Sequence, residues 1–194
     1  QCDTTETRSV DIRRKYYQSN NVAKMRKRLL GGQIQCSKTA DFKEPVTLYT
    51  IENLNIPDKI PVTADQPYRY WRYMSPNGSY GSIAELAFFD SDTVTMTGKP
   101  ISNTGDGGAI SRAYDNDWLS NFETGQADGN WIGMDMGTPK SVVYVRIVPR
   151  SDDNDIHPGD VYEMRYWNAN NEWTSCGIQT VEGNTLHYDN IPKG

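Results

Sequence analysis

Apolar and aromatic residues recur at every second position in short runs, separated by Gly, Asn, Asp and Pro. That is the period of half-buried strands rather than of helices. The pattern predicts strands over 9–17, 32–37, 46–51, 68–74, 83–89, 131–135, 141–148, 161–167, 173–180 and 185–188. In Val161 to Trp167, the residues Tyr162, Met164 and Tyr166 share one face and Val161, Glu163 and Arg165 the other. Tyr68 to Met74 alternates less cleanly but is rich in β-forming aromatics. Trp131, Gly133 and Asp135 alternate with Ile132, Met134 and Met136, so one face is apolar and the other small or polar. The chain then turns at Gly137-Thr138-Pro139-Lys140, and Val142 to Val148 is apolar on both faces apart from Arg146, as suits the middle of a sandwich. A single helical turn is predicted over Val22 to Leu30, stopped by Gly31-Gly32.

A weak repeat lies over this pattern. An Arg-containing apolar strand (Val10 to Arg14; Val142 to Arg150) precedes a Gly-led alternating strand (Gly32 to Cys36; Gly159 to Trp167) and then a third strand (Val46 to Ile51; Trp173 to Ile178). The order favours two related, incomplete β units, 1–95 and 96–194. The alternative is one sandwich in which 68–74 and 83–89 close against the sheet formed by 131–148 and 161–167.

Hydrophobic residues are 36% of the chain and mean hydropathy is -0.73, but 12 Tyr, 5 Trp and 4 Phe can build a core from few side chains. The net charge of -5 is uneven. Residues 1–30 carry +5, from Arg8, Arg13, Arg14, Lys15, Lys24, Arg26, Lys27 and Arg28 against Asp3, Glu6 and Asp11, and the remainder carries -10. A bulk this acidic repels phosphate and argues against a nucleic-acid partner. The basic stretch reads as a solvated face or a contact with acidic surface, with polyanion binding as the other reading. No run of about 20 apolar residues is present, so no transmembrane span is expected. The chain does not begin with an export leader, so an exported protein would have lost its leader already. Cys2, Cys36 and Cys176 lack the paired spacing of a zinc site; Cys2 is either a lipid-anchoring cysteine or an ordinary thiol.

Several ordered motifs resemble the discoidin or coagulation-factor C-type (galactose-binding-like) family. Ala113-Tyr114-Asp115-Asn116-Asp117, then Trp131-Ile132-Gly133-Met134-Asp135-Met136-Gly137, then Val142 to Arg150 and the strand ending in Tyr166-Trp167 are similar to the family's opening half. Pro67 to Phe89, with Arg69-Tyr70-Trp71-Arg72-Tyr73 and Ile83-Ala84-Glu85-Leu86, is similar to its closing half. Asn116 stands where the family usually has Gly, and Asn also tolerates the left-handed backbone. The pairing of modules resembles the C-terminal parts of Bacteroides-type envelope proteins. The resemblance implies an all-β, antiparallel jelly-roll sandwich outside the cytoplasm, in the cell envelope or secreted. It also implies a structural calcium held by the loop Asp115, Asp117 and Ser120 together with Glu85. Oxygen donors at that spacing suit calcium, or equally a run of Asx turns.

Sugar recognition calls for planar multi-donor groups, carboxylates and an aromatic face. After the central strand, Arg150, Asp152, Asn154 and His157 supply the first kinds, and Trp118 and Phe122 supply the aromatic face from a loop that the resemblance places at the same end of the sandwich. A solvated acidic loop with Arg150 paired to an acid is the competing reading. Trp131 and Trp167 are expected in the core. An enzyme is not expected: a Cys-His-Asp hydrolase would have only the three cysteines with His157 and His187, and Cys176 sits in a strand pattern. The expected function is a non-catalytic module holding a galactose-type or host glycan. The alternatives are a protein-interaction or spacer module of a larger envelope enzyme and, behind it, a hydrolase.

Overall fold

The computed structural model describes residues 6–16, 20–104, 110–151, 153 and 155–192. The chain divides into two compact units, Tyr16–Asp152 and a smaller one made of Gln1–Lys15 with Asp153–Gly194.

In the larger unit the helix α1 (Asn20–Lys27) precedes β2 (Gln33–Ser37), β3 (Val46–Thr50), β4 (Ile60–Pro61), β5 (Tyr68–Met74), β6 (Ile83–Phe89), β7 (Lys99–Ser102), a 3₁₀ turn (Ser111–Tyr114), β8 (Trp131–Lys140) and β9 (Tyr144–Pro149); β1 (Thr7–Arg13) belongs to the other unit. The helix ends in tightening turns, Leu29 N to Arg26 O and Leu30 N to Lys27 O. Gly31, at φ 88°, then turns its N–H to the Ile51 carbonyl.

Two antiparallel sheets share one core, β3-β2-β5-β8-β7 and β4-β9-β6. Alternation decides which side chains enter it: Ile34 and Cys36 from β2, Trp71 and Tyr73 from β5, Ile132 and Met134 from β8, opposed by Leu86 and Phe88 of β6 and Val145 and Ile147 of β9. Trp71 and Phe88, one from each sheet, stand 6.5 Å apart between ring centroids. Burying each such side chain stabilises the fold by roughly 1.5–3 kcal/mol. On the outer face Arg72 is covered by Phe42 (4.2 Å to the ring centroid) and Trp131 (5.3 Å), and its Nε donates to Gln35. Burial lowers its pKa to about 10.

The smaller unit pairs β1 with β12 (Thr185–Pro192) and β10 (Val161–Trp167) with β11 (Trp173–Thr180), all antiparallel. Ile156, Val181, Leu186, Tyr188 and Ile191 form its core, with Val10, Ile12, Tyr162, Met164 and Cys176 packed against them.

The expectation of an all-β chain with antiparallel sheets holds, and each of the ten expected strand stretches overlaps an observed strand. The expected division at 95/96 differs from the observed one. β5 sits between β2 and β8, and β6 pairs with β9, so strands from both sides of that boundary share both sheets. Strand 9–17 ends at Arg13, and Tyr17, like Cys2, lies outside the described residues. Trp131 is half-buried, and Trp167, expected in the core, is 45% exposed. Its position on β10 places it on the face opposite Tyr162, Met164 and Tyr166, of which Tyr162 and Met164 pack against the core.

Candidate functional site

Glu85 lies on β6 on the face away from the sandwich core, beneath the 3₁₀ turn and the loop that follows it. Asn116, left-handed at φ 61°, directs its backbone N–H to Glu85 Oε1 at 3.4 Å. Asp115 accepts from the Asp117 N–H at 2.8 Å and from the Ser120 hydroxyl at 2.8 Å, and Asp117 accepts from the Leu119 N–H at 3.0 Å. Glu85 and the 115–120 loop, 31 residues apart in sequence at Asn116, are thus brought together. The Glu85 side chain is buried, and its Oε2 has no hydrogen-bond partner among the described residues. Burial, then the neighbouring Asp115 and Asp117 carboxylates, push its pKa up to about 7. The donor set has calcium's hard-oxygen chemistry. Its arrangement is that of consecutive Asx turns, and among the described residues no three His, Cys, Asp or Glu groups are placed to hold a metal ion.

These turns fix Trp118, flanked by Asp117 and the Leu119 N–H that Asp117 caps. Trp118 is 41% exposed and meets Tyr16 edge-to-face at 5.8 Å. Both rings line a cleft of about 150 Å³. It lies along the edge of β9 where the two-residue β4 pairs only with Val145 and Tyr144. Pro61 in β4 and Pro57 before it withhold donors that a longer ladder would need. The Tyr16 hydroxyl donates to the Pro149 carbonyl at 3.2 Å. Arg146, projecting outward from β9, grips Asp58 through two bonds, Nε to Oδ1 at 3.1 Å and Nη2 to Oδ2 at 2.7 Å. Arg26 of α1 also lines the cleft. One wall is therefore aromatic and another carries guanidinium and carboxylate groups.

The other expected ligand residues are placed differently. Phe122 is fully buried, its backbone bridging Ile83 and its ring within the core, so it offers no face to a ligand. Arg150 pairs with Glu123, which also accepts from Arg28 at 3.2 Å and from the Ser82 hydroxyl at 2.7 Å. His157 belongs to the smaller unit, where its N–H caps Asp160 at 3.1 Å. Asp152 and Asn154 lie outside the described residues. Nothing in the sequence pattern marks Tyr16, Arg26 or Asp58 as a ligand residue. Arg146 carries a sequence signal, as a lone charge in an otherwise apolar strand. No family model matches the chain, and neither a curated protein nor a solved structure does.

Proposed function

We propose that this chain is a non-catalytic carbohydrate-binding module of jelly-roll, galactose-binding-like type, belonging to a bacterial envelope or secreted protein. The observation that carries the reading is the exposed Trp118 ring in the same cleft as the Arg146–Asp58 fork. An aromatic face stacks on the C–H face of a pyranose, while a paired guanidinium and carboxylate offer planar donors and acceptors to vicinal hydroxyls. The volume, below the ~300 Å³ lower end of drug-sized pockets, suits about one sugar ring. Against Cys36 as a hydrolase nucleophile stands its burial, which pushes the thiol up to about 12. A structural calcium at Asp115, Asp117, Ser120 and Glu85 is part of this reading: the buried, unpaired Glu85 Oε2 favours it, and it requires the Asp115 and Asp117 carboxylates to turn from their Asx-turn donors toward Glu85.

Calorimetry against galactose-type and host-glycan fragments should give a dissociation constant in roughly the micromolar to millimolar range, because the site is shallow and wet. Trp118→Ala should abolish the heat. No heat at millimolar sugar would remove the reading. A protein-interaction or spacer module is the second reading, favoured by the exposed face of β10 and β11, where Val161, Trp167, Trp173 and Ile178 lie on one side. Silent glycan arrays together with a partner domain whose binding is lost in Trp173→Ala would favour it.

A further inference from the structure

The cleft at Trp118 holds two guanidinium groups and one carboxylate. The charge of Arg146 is balanced by Asp58 through two bonds, Nε to Oδ1 and Nη2 to Oδ2. Arg26 is half-buried on the last turn of α1, and its side chain makes no ion pair and no hydrogen bond among the described residues. Its neighbours in sequence add to the positive potential: Lys24 and Lys27 lie on the same helix, while Arg28 is held by Glu123. The cleft therefore carries one positive charge with no carboxylate partner among the described residues, beside an aromatic wall; Arg28, Arg69, Arg146 and Arg150 each have a carboxylate, and Arg72 has Gln35 and two ring faces instead. A half-buried, unpaired guanidinium is a poor arrangement for stability and a good one for an incoming carboxylate, which it can meet with two parallel N–H bonds.

We propose that the sugar taken by this cleft is an acidic one, a uronic- or sialic-type residue whose ring lies on Trp118 and whose carboxylate pairs with Arg26. The proposal rests on the glycan reading and names the class of glycan. A single unpaired planar cation suits a monoanionic carboxylate better than a phosphate dianion, and the acidic bulk of the chain excludes polyanions at large while leaving this local exception.

The test measures binding of methyl galacturonide, methyl galactoside and sodium acetate to the full chain by Trp fluorescence and calorimetry. The acid sugar should bind roughly tenfold tighter than the neutral one, the effect of one charge-assisted pair. Raising salt should shrink that ratio. In Arg26→Gln the acid-to-neutral ratio should collapse to about one, and Arg26→Lys, which keeps the charge and loses the fork, should keep part of it, with thermal melts confirming that both variants fold. Equal affinity for the two sugars, or an acid preference that survives in Arg26→Gln, overturns the proposal while leaving the glycan reading intact. Acetate binding as tightly as the acid sugar overturns it in favour of a bare carboxylate subsite. If neither sugar binds, the proposal falls together with the glycan reading.

Discussion

His187 Nδ1 lies 2.6 Å from Asp11 Oδ1, and the two residues are direct cross-strand partners in the pairing of β1 with β12. The other ring nitrogen of His187 is 3.1 Å from Asp189, whose carboxylate also accepts from the Ser9 hydroxyl at 2.5 Å. An imidazole between two carboxylates is favoured as the cation. The hydrogen bonds to Asp11 and Asp189 raise the His187 pKa above its ordinary 6.5; the His187 bond holds Asp11 below its ordinary 3.8, and the Ser9 hydroxyl, then His187, does the same for Asp189.

The sign follows from linkage. A raised histidine contributes stability that is fully present below pH 6.5 and is lost as pH rises through the folded value, while the lowered carboxyls contribute stability that is lost as pH falls below their ordinary range. The strand pair should therefore be most secure in mildly acid solution. Protection factors at the β12 amides, with the intrinsic base catalysis of exchange divided out, should be smaller at pH 8 than at pH 5.5, and the difference should shrink in high salt because the groups are exposed. His187→Gln should flatten the profile. An NMR titration placing His187 at or below 6.5 would refute the account.

Glu85 titrates in the opposite chemical sense with the same sign of effect. Its folded pKa of about 7 exceeds the ordinary 4.5, so stability present below pH 4.5 is lost as pH rises toward 7. In chelator the large unit should lose roughly 3 kcal/mol over that window, by the linkage of a shift of this size. Calcium should restore it, because an ion at Oε2 pays for ionising the buried carboxyl. Glu85→Gln should remove both the pH slope and the calcium effect. Melting curves at pH 4.5 and 7.5, with and without calcium, read all of this, and a calcium-insensitive melt at pH 7.5 would exclude the ion.

Trp167 and Trp173 face each other across the end of the β10–β11 hairpin, 5.2 Å apart and at 73°, with Trp173 63% exposed. A cross-strand aromatic pair holds a hairpin closed even when wet. Trp173→Ala should cost the smaller unit about 1 kcal/mol. Trp167→Ala added to it should cost little more, because the pair is already broken. Additive losses would show that the rings act separately, each against its own surroundings.

Much of the fold could be read from alternation because a strand with one buried face records that face at every second residue. β4 and β7 escaped because each is short and contains a proline, Pro61 and Pro100, which reads as a break. The unit boundary escaped for a different reason: Thr7 pairs with Pro192, and a contact between the two ends of a chain leaves no local mark. The carboxylate loop was legible because its donors are contiguous and Glu85 carries its own motif. The Trp118 cleft was only partly legible, since Tyr16, Arg26, Asp58 and Arg146 come from four separate segments. Phe122 was misread because a loop aromatic looks the same in sequence whether its ring points into solvent or, as here, into the core.

Gly133 is the position where sequence pattern and sheet geometry meet most tightly. It sits on β8 opposite Arg72 of β5, between Trp131 and Asp135 on the small or polar face. A Cβ added there would lie 2.1 Å from the Trp71 carbonyl oxygen and 2.8 Å from Arg72 Cα, both backbone atoms that cannot rotate away. Relief requires β5 and β8 to separate, which strains the central pairing of the five-stranded sheet and the Tyr114 hydroxyl bond to the Gly133 carbonyl, 2.8 Å long. Gly133→Ala should therefore destabilise the large unit by about 3 kcal/mol or more, at or above the upper end of ordinary overpacking. Gly125→Ala, where an added Cβ meets nothing within 4 Å, is the control and should stay within about 0.5 kcal/mol of wild type. Urea denaturation of both variants decides the matter: equal midpoints would mean that β5 and β8 do not approach at Gly133 as closely as this pairing requires.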